Sequence, residues 1–141
     1  MTKVLKKYAH PMVAVDIAIF TIQDNQLQLL LIKMKKKPFT DKWAIPGGLV
    51  KSDESVQKAA ERNLKEKTGV SKVYLEQLYT FGEVKRDPFG RVVSVAYFAL
   101  VPHDKNKLKT TQEYGGVDWH PIDRLPKLAY DHKEMSQHAL K

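Results

Sequence analysis

Residues 43–70 read Trp43-Ala44-Ile45-Pro46-Gly47-Gly48-Leu49-Val50-Lys51-Ser52-Asp53-Glu54-Ser55-Val56-Gln57-Lys58-Ala59-Ala60-Glu61-Arg62-Asn63-Leu64-Lys65-Glu66-Lys67-Thr68-Gly69-Val70. The apolar piece 43–45 is stopped by Pro46-Gly47-Gly48, and paired glycines permit positive φ and close backbone approach. A glycine turn leading towards a helix can also present N–H groups to an anion. A helix is expected over 52–68, capped by Ser52 or Asp53, with Glu54 complementing its positive end and Gly69 ending it. At about 100° per residue, Val56, Ala59, Ala60 and Leu64 share one arc that must face a core. Asn63, Glu66 and Lys67 fall in or beside that arc, whereas Lys58, Glu61 and Lys65 lie opposite. Inward polar groups need partners, because an unpaired one costs roughly 1–3 kcal/mol. Either a polar pocket meets the C-terminal half of the helix, or these side chains reach out to water at its end.

Upstream, 13–22 is rich in Val, Ile and Phe and reads as a strand, Asp24-Asn25 as a turn, and 27–32 as the returning strand of a hairpin. A basic loop with Pro38 covers 35–42. Downstream, strands are expected at 73–81 and 92–101, around a turn-rich loop at 82–91, and a short one at 117–120. Asp131 caps a last helix running to Lys141. Strands, a helix, more strands and a final helix do not make the alternation of a doubly wound sheet; they imply an α/β domain with a mixed sheet and helices on its faces.

The 141 residues suit one domain, 1–141. With no cysteine, disulfides and thiolate zinc sites are excluded. Residues 1–10 lack an apolar signal core, and no apolar run approaches membrane-spanning length, so a cytoplasmic protein is expected. The net charge of +8 attracts anions such as nucleotides, phosphates or nucleic acid, or simply keeps the chain soluble. The lysines are spread out apart from Lys6-Lys7 and Lys35-Lys36-Lys37, and no groove-reading motif accompanies them.

Gly48, Glu54 six residues on, Arg62 eight further, Leu64, Glu66 and Gly69-Val70 have the spacing of the Nudix box, and 43–48 matches its usual lead-in. The chain thus resembles the Nudix superfamily over nearly its whole length. The resemblance implies an α/β/α sandwich around a mixed sheet, and carboxylates that hold magnesium or manganese to cleave a nucleoside diphosphate. The family pattern places glutamates where this chain has Asn63 and Lys67, while Glu54 and Glu66 remain. A hard divalent cation wants several anionic oxygens, and Asn63 offers only a neutral one. The Lys67 ammonium repels a cation: two unit charges about 4 Å apart interact by roughly 4 kcal/mol at an effective dielectric of 20, and a divalent ion doubles that. Without the metal that makes hydroxide, hydrolysis is expected to be weak or absent, with Glu66 and Glu54 as remnant catalytic residues and Glu66 the one remaining metal ligand. Lys67 and Asn63 instead suit direct phosphate contacts, unless Lys67 pairs with Glu66 or Glu54 and replaces the metal only structurally.

The segments 79–82 and 86–97 resemble those of ADP-ribose pyrophosphatases and of Nudix-related transcriptional regulators of NAD metabolism, whose Nudix-like domain senses ADP-ribose. The ending 128–132 resembles the regulators' junction to a linker helix and a winged-helix domain, so the helix at 131–141 would begin such a linker. DNA contact is then expected only through a domain absent from this chain; the alternative is a standalone relative. ADP-ribose or a related nucleotide is the expected ligand, bound without a required metal by Gly47, Gly48, Arg62, Asn63, Lys67, Arg86 and Arg91; arginine forks suit phosphate oxygens. Phe81 and Phe89 either stack on a base or pack in the fold. Glu61, Glu83 and Glu113 are either surface carboxylates or fill gaps in an active hydrolase, and the five histidines show no ligand spacing. The family also suggests a homodimer.

Overall fold

The computed structural model describes residue 8 and residues 10–103 and 108–141; the Lys6-Lys7 pair lies outside them. Its elements are β1 (Met12–Gln23), β2 (Gln26–Lys33), β3 (Trp43–Ala44), β4 (Gly47–Leu49), α1 (Val56–Thr68), β5 (Glu76–Phe81), β6 (Val92–Leu100), β7 (Gly116–Pro121), a 3₁₀ turn (Ile122–Arg124) and α2 (His132–Ala139). The hairpin forms as expected: Asp24 and Asn25 take φ of 52° and 61°, the left-handed pair that a two-residue connection between twisted strands requires.

β1 pairs in parallel with β6, and the other pairings are antiparallel, so the sheet is mixed. Side chains alternate between its faces. Val15, Ile17, Ile19 and Leu30 pack with Ala59, Ala60 and Leu64 of α1. Ala18, Phe20, Leu29 and Leu31 pack with Met135 of α2 on the other face. The helices therefore sandwich the sheet. No helix among the described residues is long and apolar enough to cross a membrane.

The start of α1 corrects the expectation. Its cap is Ser55, whose side chain accepts the Lys58 N–H, rather than Ser52 or Asp53. Glu54 consequently stands before the helix, and its carboxylate accepts the Lys51 N–H and two Arg62 donors. Gly69 ends α1 at φ 83°, as read from the sequence. Asp131 takes the cap position of α2, but its side chain makes no capping bond and turns to Arg86.

Candidate ligand pocket

The pocket follows from how β1 divides its neighbours. One edge of β1 lies along β6. On the other edge, 20–23 pair with β2, but Ala14–Asp16 pair with β4. β2 has by then parted from β1 and pairs with β3, so 43–49 bridges the gap between them. Beside the bridge lies a cavity of about 350 Å³, the size of a small-molecule site.

The glycines of the bridge are needed for proximity. A Cβ on Gly47 would stand 2.2 Å from the Val15 carbonyl oxygen and 2.3 Å from Asp16 Oδ1. One on Gly48 would stand 2.2 Å from Asn63 Oδ1 and 2.8 Å from Lys67 Nζ. Neither glycine has positive φ, contrary to one of the roles expected, and both lie in the ladder with β1. At Gly47 the clash is with backbone and at Gly48 with the ends of two side chains, so close packing favours glycine at both.

Lys67 reaches the cavity from the last turn of α1. Its ammonium donates to the Gly47 carbonyl and lies 5.6 Å from the centre of the Tyr114 ring. It turns to a carbonyl rather than to Glu54 or Glu66, both of which meet Arg62. Burial pushes its pKa below the usual lysine range, against the opposing pull of Glu113 and Asp16. Tyr114 is half-buried, and the loss of water around it raises the pKa of its phenol.

Asp16 is a carboxylate in the middle of the apolar strand β1 and only 6% exposed. Its Oδ2 accepts the Ser94 hydroxyl, and its Oδ1 lies 3.3 Å from His132 Nε2. His132 Nδ1 accepts the Ile45 N–H at 2.9 Å, so the neutral ring carries its proton on Nε2, towards Asp16. Arg86, its side chain 3% exposed, donates from Nε and Nη2 to both oxygens of Asp131 at 2.9 and 2.8 Å, with Nη2 3.9 Å from Asp16 Oδ2. Burial works against the Arg86 charge, and the Asp131 hydrogen bonds with the surrounding carboxylates outweigh it, so the pKa is raised.

Of the residues singled out by sequence, Gly47, Gly48, Lys67, Arg86 and Phe89 line the cavity. Glu54, Arg62 and Glu66 form a separate cluster: Arg62 binds Glu54 through Nε and Nη2 at 3.0 and 2.6 Å, reaches Glu66 at 3.4 Å, and donates to the Leu49 carbonyl at 3.2 Å. The Arg62 hydrogen bonds, helped by the Lys51 N–H, hold Glu54 at a pKa of about 2. Asn63 is buried behind Gly48, its amide donating to the Ala59 carbonyl. Arg91 is exposed and donates to the Glu83 carbonyl. Glu61, Glu83 and Glu113 are exposed, and Phe81 packs under α2. Asp16, Asp131 and His132 were not singled out as site residues. An aspartate interrupting Val13-Ala14-Val15 and Ile17-Ala18-Ile19 was the available signal, since a buried charge needs partners.

Metal ligation fits poorly. Among the described residues no group of three or more His, Asp or Glu side chains could hold an ion. Arg62 engages Glu54, Glu66 is exposed, and the Lys67 ammonium stands at the turn itself. These residues do not fit a caged divalent cation.

The sandwich, the Gly-Gly bridge and the box spacing on α1 define the class: the chain belongs to the NUDIX domain family, whose model matches residues 11–139. Among relatives, it is 40% identical over 136 residues to the ADPR-responsive transcriptional repressor NtrR of Acinetobacter baylyi, covering 94% of this chain and 54% of that protein. It is 36% identical over 133 residues to an ADP-ribose pyrophosphatase of Methanocaldococcus jannaschii, covering 94% of this chain and 75% of that one. The chain thus spans about half of the repressor's length. The NUDIX domain of Shewanella oneidensis NrtR, solved with ADP-ribose, superposes with a TM-score of 0.83 at 32% identity, covering 99% of this chain and 97% of that one.

Proposed function

We propose that this domain binds ADP-ribose or a related diphosphate-linked nucleotide without requiring a metal, hydrolyses it weakly or not at all, and serves as the sensing part of a transcriptional regulator of NAD metabolism. The observation that carries the reading is the Lys67 ammonium on the Gly47 carbonyl, at a position where the family pattern has a carboxylate. An ammonium has three donors. One meets Gly47, and the others are available to phosphate oxygens, so Lys67 supplies the neutralising charge that a cation otherwise brings. Phe89, 64% exposed at the pocket, offers a face to a base. The relatives that respond to or were solved with ADP-ribose support the ligand class. Any DNA contact would belong to sequence outside this chain.

Calorimetry with ADP-ribose in EDTA, repeated in magnesium, tests this. Equal binding in both, with no AMP formed, is expected; heat that appears only with magnesium, or no binding at all, would refute it. An active pyrophosphatase is the second reading, favoured by the relative of that name and by the retained Glu54 and Glu66.

A further inference from the structure

The chain carries +8, yet its pocket does not share that excess. The charged lining residues are two cations, Lys67 and Arg86, and two carboxylates, Asp16 and Asp87. His132 lies beside Asp16, its Nδ1 accepting the Ile45 N–H. Arg86 is already matched by Asp131 through both of its forked donors. Lys67 is the lining cation with no ion pair among the described residues, and a buried carboxylate, Asp16, faces the same glycine bridge. A site built to gather as much phosphate charge as possible would not place Asp16 there.

Resting on the ligand class proposed above, we infer that the pocket selects by charge for a diphosphate esterified at both ends, against nucleoside di- and triphosphates, and that Asp16 is the residue that sets the choice. A doubly esterified diphosphate carries one negative charge per phosphate. A free terminal phosphate adds most of another at pH 7, since its second ionisation lies near pH 6. That added charge meets the Asp16 carboxylate in a site sheltered from water, where like charges repel more strongly than at the surface. A sugar in its place brings hydroxyl donors. A carboxylate has about four lone-pair sites, and Ser94 and His132 use two of them, so Asp16 can accept from a sugar hydroxyl. One side chain thereby rejects one ligand end and welcomes another, which is how discrimination exceeds what attraction alone provides.

The test is calorimetry in EDTA at pH 7.5 with ADP-ribose, ADP, and ADP methylated on its terminal phosphate. Wild-type protein is expected to bind the methyl ester at least tenfold more tightly than ADP, and ADP-ribose more tightly still. Asp16→Asn should narrow the gap between the methyl ester and ADP to within about threefold. If the wild type binds ADP as well as its methyl ester, the charge filter is wrong while the ADP-ribose reading stands. If it binds none of the three, the ligand reading itself has failed. The wild-type comparison decides the question even where Asp16→Asn does not fold, and a folded Asp16→Asn protein that keeps the full gap removes Asp16 from the role.

Discussion

Two charged clusters flank the glycine bridge, and they differ in almost everything except charge. The outer one, Glu54–Arg62–Glu66, comes from a single stretch of chain, and Glu66 is 53% exposed. The inner one, Asp16, Ser94, Arg86, Asp131 and His132, gathers residues from β1, β6, the loop before β6 and the start of α2, and it is buried. The outer cluster carries the recognisable motif yet does not line the cavity, whereas the inner one does so through Asp16, Arg86 and His132. The motif brings Gly47, Gly48 and Lys67 to the pocket, and residues far from it in sequence supply the rest of the charged lining.

The largest effect that could break this contrast is in stability. Arg86→Ala strands the Asp131 and Asp16 carboxylates in the interior, and loss of one partner from a buried pair costs about 3–5 kcal/mol. Urea unfolding should show that loss, and Arg62→Ala should cost less than a third as much. Equal costs would erase the distinction between the clusters. Next is binding: Lys67→Met keeps bulk but removes charge, and a charge-assisted contact of about 1.5–3 kcal/mol predicts ADP-ribose affinity lower by roughly 10- to 150-fold. Unchanged affinity by calorimetry would detach the inner face of α1 from the ligand.

Gly48→Ala comes third. Its methyl would press on Asn63 and Lys67, at about 2 kcal/mol. Adding Asn63→Ala should return part of that stability, because the two share a contact; purely additive losses in thermal melts would deny the close packing. The smallest effect is confined to acid. Glu54 has its pKa lowered from 4.5 to about 2, so the stability it contributes is complete above about pH 4.5 and vanishes as pH falls through about 2. The melting temperatures of wild type and Glu54→Gln should differ at pH 6 and converge near pH 2; a gap that persists there would mean the Arg62 hydrogen bonds are not its source.

Local physics made much of the fold legible. Asp24-Asn25 names its own turn, Gly69 its own helix end, and the arc of Ala59, Ala60 and Leu64 its own core face. The cap of α1 was harder, because Ser52, Asp53 and Ser55 all have capping side chains and only tertiary pairing of Glu54 with Arg62 separates them. The parallel pairing of β1 with β6 leaves no local mark, since a strand buried on both faces reads alike beside either neighbour. Lys67 was visible as a cation in a place that favours carboxylates. The partnership of His132 with Asp16 was not, as 116 positions that no periodicity connects separate them.

The central claim is that an ammonium and an amide have replaced a metal cage, leaving a site that holds its ligand without cutting it. AMP release from ADP-ribose in saturating magnesium, followed side by side for the wild type and for Asn63→Glu/Lys67→Glu, tests it most directly. The account predicts little or no release from the wild type and clearly faster release from the double variant. Rapid wild-type release that disappears in Glu66→Gln would contradict it.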